Sequence, residues 1–159
     1  EENLKRFYPA GASASTILGS INYNRNGVEG AELKYNKALL GTPGKKTQIK
    51  SRDGKIIGTK QHIFAKDGIP VQLTIDKDIQ YLTYKALKDA AIKHQAKSAS
   101  AIIMDIKTGE IFAMTNYPGF NPNNLSDNKN HKNLAISDLF EPGSTIKPFA
   151  ITSALISKK

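Results

Sequence analysis

The sequence holds no cysteine in 159 residues. That absence excludes a disulfide scaffold, a thiolate zinc site and a cysteine nucleophile together, and it leaves the redox compartment open. Arginine is scarce, with Arg6, Arg25 and Arg52 among 23 lysines and arginines in all. Bidentate readout of guanine or phosphate therefore has little to work with. Long apolar runs are missing too. The longest, 149–156, contains Thr152 and Ser153 and falls well short of the roughly 18 residues that cross a bilayer. The opening residues, Glu1 to Arg6, carry no apolar stretch of the kind found in a secretory signal.

What is present suffices for a folded core. Hydrophobic residues make up 39% and charged residues 23%, outside the range of a disordered chain. The length suits one domain, or one and part of a second. A net charge of +9 raises nucleic acid as a partner. The basic residues are spread through both halves, with no run denser than Lys45-Lys46, so a solvated lysine-rich surface is the better reading. An anionic polymer or a membrane surface is the next alternative, and nucleic acid is not expected.

The local pattern predicts an α+β chain. Residues 31–40 suit a short helix with Leu33, Lys37 and Leu40 along one stripe and Gly41 as its stop. Asp53-Gly54 between 48–50 and 55–57 reads as a hairpin turn, because glycine supplies the positive φ. A boundary is expected near Asp67-Gly68-Ile69-Pro70, dividing the chain into 1–70 and 71–159. Residues 71–75 alternate as a strand. Asp76 then caps a helix running to about Gln95, with Asp78 in its first turn and Ile79, Leu82, Ala86 and Ala90 along its apolar face. Residues 99–106 and 110–116 predict a second hairpin, turning at Lys107-Thr108-Gly109. A loop rich in Pro, Gly and Asn covers 117–133, and a last helix starts near Gly143 or Ser144 and continues to Ile156.

The sharpest chemical feature is Glu141-Pro142-Gly143-Ser144-Thr145-Ile146-Lys147-Pro148-Phe149. Ser144 and Lys147 stand at i and i+3, on one helix face and within reach of each other. A serine hydroxyl becomes a nucleophile when a base takes its proton, and a lysine serves as that base when burial or a nearby cation depresses its pKa. A helix N-terminus favours the developing alkoxide. The pattern S-x-x-K is weak by itself, since Ser126-Asp127-Asn128-Lys129 matches it as well, without a helix to hold the pair. The bland alternative for Ser144 is a helix cap followed by a solvent lysine.

The wider sequence resembles the class B penicillin-binding proteins. The segment 140–149 is similar to their active-serine segment. Arg6-Phe7-Tyr8-Pro9-Ala10-Gly11, Gly27-Val28-Glu29-Gly30-Ala31-Glu32, Leu40-Gly41-Thr42-Pro43-Gly44 and Asp53-Gly54-Lys55 resemble their pedestal motifs. Leu73-Thr74-Ile75-Asp76, Asp105-Ile106-Lys107-Thr108-Gly109-Glu110-Ile111 and the stretch 117–125 resemble the beginning of their transpeptidase domain. Asn121-Pro122-Asn123-Asn124 together with Phe140-Glu141-Pro142-Gly143 is closer to the septal, cell-division type than to the elongation type. Leu134 departs from the pattern, where an arginine usually precedes Ala135.

The resemblance implies a part of the pedestal over 1–70, and over 71–159 the N-terminal portion of a serine transpeptidase domain, of β-lactamase-like fold. It implies a D,D-transpeptidase acting on the stem pentapeptide of lipid-linked nascent glycan, with Ser144 as acyl-ester nucleophile, its N–H in the oxyanion hole, and Lys147 as general base. β-Lactams would acylate Ser144, and a membrane glycan polymerase and division proteins would be partners. No metal and no organic cofactor are implied. The family's S-x-N and K-T/S-G motifs follow the active serine, whereas Ser126-Asp127-Asn128 and Lys107-Thr108-Gly109 precede it and are rejected as catalytic. The chain is therefore expected to be a fragment, inactive alone, of a protein held in the inner membrane by an N-terminal anchor and facing the periplasm. A non-catalytic pedestal module docking division partners, and a serine β-lactamase or β-lactam sensor, are the rival readings.

Overall fold

A computed structural model describes residues 6–124 and 131–157. A 3₁₀ turn, Gly11–Ser13, leads into α1 (Ser15–Leu18), and two further short helices follow, α2 (Gly30–Lys34) and α3 (Asn36–Leu40). The single helix expected over 31–40 is thus two, broken at Tyr35 with φ −107° and ψ 16°. Asn36 turns its side chain to the preceding loop, where Oδ1 accepts from the Gly27 N–H at 2.9 Å. Gly41 ends α3 with φ +65°, as the sequence predicts.

Strands β1 (Lys45–Lys50) and β2 (Ile56–Ile63) pair antiparallel around Gly54, with two irregularities in register. The hairpin stands where Asp53-Gly54 placed it, with longer arms than expected. After it comes α4 (Lys77–Lys93), then β3 (Ala99–Met104) and β4 (Ile111–Tyr117), a second antiparallel hairpin. Its turn is held by Asp105 Oδ1, which accepts from Lys107 N at 2.6 Å and Thr108 N at 3.0 Å. Those two donors hold the Asp105 carboxyl below its ordinary value of 3.8. The remaining elements are α5 (Leu134–Ser137), a 3₁₀ turn Gly143–Ile146, and α6 (Lys147–Ile156).

Helix α4 begins as predicted. Asp76 Oδ1 accepts from Asp78 N at 3.0 Å and Ile79 N at 2.9 Å, an N-cap worth about 1 kcal/mol. Its inward face differs from expectation. Gln80 and Ala91 are buried, whereas Leu82 is 63% exposed and Ala86 and Ala90 lie outside. Long-range polar bonds choose the face. Gln80 Nε2 donates to Ser13 O at 2.6 Å and to Met114 O at 3.0 Å, and Gln80 Oε1 accepts from Met114 N at 2.9 Å. The amide thus pairs with one residue of β4 as a neighbouring strand would. A buried amide with its bonds made avoids most of its desolvation penalty.

The expected strand over 71–75 is absent. That segment touches the start of β4 through Thr74 Oγ1 to Ile111 O at 2.8 Å and Asp76 N to Phe112 O at 2.9 Å, without forming a ladder. Alternation alone does not make a strand when no partner edge is aligned with it.

The core lies between α4, β4 and residues 8–20, and it is small. Among the described residues, Ala113, Phe120, Ala91, Tyr8 and Ala14 are its buried apolar residues, packed among Ser15, Thr115 and Asn116. Gly30 shows how tightly the α1 and α2 regions meet: with φ +60°, a Cβ there would lie 2.5 Å from Ile17 O. Among the described residues, no helix is long and apolar enough to cross a membrane.

Candidate active site

Ser144 and Lys147 stand on either side of a change of helix type. Pro142 precedes the 3₁₀ turn Gly143–Ile146, and the Thr145 N–H and hydroxyl both bond to Pro142 O. Gly143 has φ +52°, a left-handed conformation that glycine adopts without a Cβ penalty. Lys147 opens α6, its N–H donates to Ser144 O, and Pro148 occupies the first turn, where a missing N–H costs little. The helix start expected at Gly143 or Ser144 is therefore found, in two steps.

Serine and lysine are both exposed, as is every residue of α6. No hydrogen bond joins their side chains among the described residues. Phe149 is 72% exposed, Ile151 61% and Leu155 74%, so the apolar side of this helix is uncovered in the chain as it stands. Two clefts lie elsewhere, of about 860 Å³ between Arg6 and Gly68 and about 550 Å³ beside His131 and Ile136, and Ser144 lines neither.

Of the two rejected look-alikes, Lys107-Thr108-Gly109 is the β3–β4 turn, as predicted, with Gly109 at φ +78°. Ser126-Asp127-Asn128 and the second S-x-x-K pair ending at Lys129 lie outside the described residues.

The motifs that surround the site in sequence are joined in space. Arg6 holds Glu32 with two bonds, Nε to Oε1 at 3.0 Å and Nη2 to Oε2 at 3.1 Å. Tyr8 exchanges two bonds with Asn123, its N–H to Oδ1 and its carbonyl from Nδ2, both at 2.9 Å. Glu29 Oε1 meets His131 Nδ1 at 2.8 Å, and the His131 ring lies 4.2 Å from that of Phe120. Gln80, Asn123 and His131 had no role in the sequence reading. Asn123 stood within a quoted motif, but nothing local announced that its amide would clasp Tyr8. For Gln80 the one available signal was a polar side chain next to the apolar stripe of an otherwise amphipathic helix.

Comparison with known proteins places these features. Residues 1–73 match the penicillin-binding protein dimerisation domain, and residues 99–159 match the penicillin-binding protein transpeptidase domain. The chain belongs to the penicillin-binding proteins. It is 44% identical over 97% of its length to the peptidoglycan D,D-transpeptidase FtsI of Buchnera aphidicola, spanning 28% of that protein. Against Escherichia coli FtsI the identity is 38% over 97% of the chain, spanning 26% of that protein. The crystal structure of penicillin-binding protein 3 from Mycobacterium tuberculosis superposes with a TM-score of 0.77 at 31% identity, over 95% of this chain and 31% of that one. The same protein complexed with aztreonam gives 0.78 at 32% identity, over 95% and 31%. The chain thus spans about a quarter to a third of the relatives it matches. The expected family and the α+β class, with parts of both domains, hold.

Proposed function

We propose that the protein carrying this chain is a peptidoglycan D,D-transpeptidase of the septal type, with Ser144 as its nucleophile and Lys147 as its base. The observation that carries the reading is the Ser144–Lys147 pair at the N-terminus of α6, in a chain that matches both penicillin-binding domains and several proteins named D,D-transpeptidase. The division near residue 70 belongs to the same proposal, with the pedestal part before it and the catalytic part after.

Ser144 Oγ attacks the penultimate D-alanine carbonyl of a stem pentapeptide while Lys147 Nζ takes its proton. The Ser144 N–H donates to the oxyanion that forms. Collapse breaks the bond to the terminal D-alanine, which leaves as the amine after receiving that proton, and an ester to Ser144 remains. An amine from a neighbouring stem then attacks the ester, the cross-linking amide forms, and the serine oxygen regains a proton. A β-lactam opens on the same serine and stays as an ester. Partners of this reading are the lipid-linked glycan, a membrane glycan polymerase and division proteins, with the region held on the periplasmic side of the inner membrane.

Release of D-alanine from a synthetic stem pentapeptide by the complete protein, with an acceptor amine present, tests the reading. Stoichiometric cross-linking that disappears in Ser144→Ala is expected. Release that survives Ser144→Ala would overturn it, and fast hydrolysis of penicillin would replace it with a β-lactamase.

A further inference from the structure

We propose that the tip of the β1–β2 hairpin docks on an anionic lipid bilayer. The hairpin concentrates charge: Lys45, Lys46, Lys50, Arg52, Lys55 and Lys60 stand against the single carboxylate of Asp53 between 45 and 63, a surplus of five in a chain of net charge +9, and Lys50, Arg52 and Lys55 of these flank the tip. All six cations are exposed, and among the described residues none is in an ion pair. Beyond the pairing of the two strands, no helix or strand makes more than a marginal contact with them among the described residues. The hairpin therefore presents its own side chains to whatever it meets.

Its apolar side chains narrow the partner. Ile49 is 46% exposed, Ile56 57% and Ile57 68%. The register places Lys50 opposite Ile56 and Ile49 opposite Gly58, and the irregularity between Ile49 and Lys50 leaves Ile57 without an opposite residue. Three isoleucines thus adjoin Lys50, Arg52 and Lys55 at the turn. A single-stranded nucleic acid would use aromatic faces, but His62 and Phe64 lie against each other, tilted by 45° with centroids 4.3 Å apart, at the far end of the hairpin. A soluble polyanion has no use for the isoleucines. A bilayer of anionic lipid uses both: ammonium and guanidinium groups reach the phosphates while their stems and the isoleucines enter the headgroup and acyl boundary. The proposal rests on no part of the catalytic reading.

Flotation of the 159-residue chain with vesicles of phosphatidylglycerol and phosphatidylcholine, against phosphatidylcholine alone, tests it. Partitioning onto the anionic vesicles that weakens as salt rises is expected, with none onto the neutral ones. K50E/R52E/K55E reduces it by at least about a hundredfold, from about fivefold per cation. I56S/I57S reduces it by at least about tenfold at unchanged net charge. K85E/K88E/K93E, on the exposed side of α4, makes the same charge change and leaves partitioning within about threefold. Circular dichroism verifies that each variant keeps its fold. The proposal fails if the chain ignores anionic vesicles, if the α4 triple variant weakens binding as much as the hairpin triple variant, or if I56S/I57S has no effect. Binding of soluble polyglutamate as tight as that of the vesicles would equally overturn it.

Discussion

Gln80 and Ser13, 67 residues apart in the chain, are joined by a 2.6 Å hydrogen bond from the side-chain amide to the main-chain carbonyl. The same amide holds both backbone groups of Met114. Ser13 lies in the part matching the dimerisation domain, Met114 in the part matching the transpeptidase domain, and Gln80 between the two matches. One side chain therefore ties the opening of the chain to the hairpin that precedes the active-serine segment. Tyr8–Asn123 and Glu29–His131 repeat the pattern with other residues.

Removing that tie should be costly. Gln80→Ala leaves three main-chain groups without their partner in a buried place, a loss of about 2–4 kcal/mol. Lys88→Ala on the exposed side of the same helix should stay within about 0.5 kcal/mol. Urea unfolding of the two variants measures the difference, and equal midpoints would show that the amide carries no weight.

Tyr8 gives the fold a weak point in alkali. Burial, with the negative charge of Glu32 adding to it, pushes its hydroxyl from 10.0 up to about 12. The folded state keeps its proton longer than the unfolded state does. Stability from this source is complete below pH 10 and drains away as pH climbs towards 12. Tyr8→Phe should lose stability less steeply over that window, as followed by thermal unfolding at successive pH values. Parallel slopes for the two proteins would contradict the assignment.

The uncovered side of α6 makes the isolated chain prone to associate with itself. With Phe149, Ile151 and Leu155 each more than half exposed, sedimentation velocity should show species larger than a monomer that grow with concentration. F149S/L155S should shift the distribution towards the monomer. A chain that is monomeric at every concentration would refute this.

Local chemistry was readable in the sequence, and long-range choice was not. Asp76 and Asp105 act within three residues of themselves, so cap and turn could be named from their neighbours alone. The Ser144 turn was legible for the same reason, since Pro142, Gly143 and Pro148 set the backbone around it. Helical periodicity misplaces the inward face of α4 because Ser13 and Met114, far away in sequence, decide which side turns in. Leu82 fits an apolar stripe and yet stays outside, because nothing described here covers it. The break at Tyr35 depends on Asn36 reaching back to Gly27, a bond that helical periodicity does not encode.

Covalent labelling decides whether Ser144 is the nucleophile. The complete protein is incubated with a fluorescent penicillin, digested, and the modified peptide identified by mass spectrometry. One adduct per chain is expected, on Ser144, absent in Ser144→Ala and reduced at least about a hundredfold in rate in Lys147→Ala, whose fold is retained. No labelling is expected of the 159-residue chain alone, in which α6 stands uncovered. An adduct on any other residue, or unchanged labelling in Ser144→Ala, would contradict it.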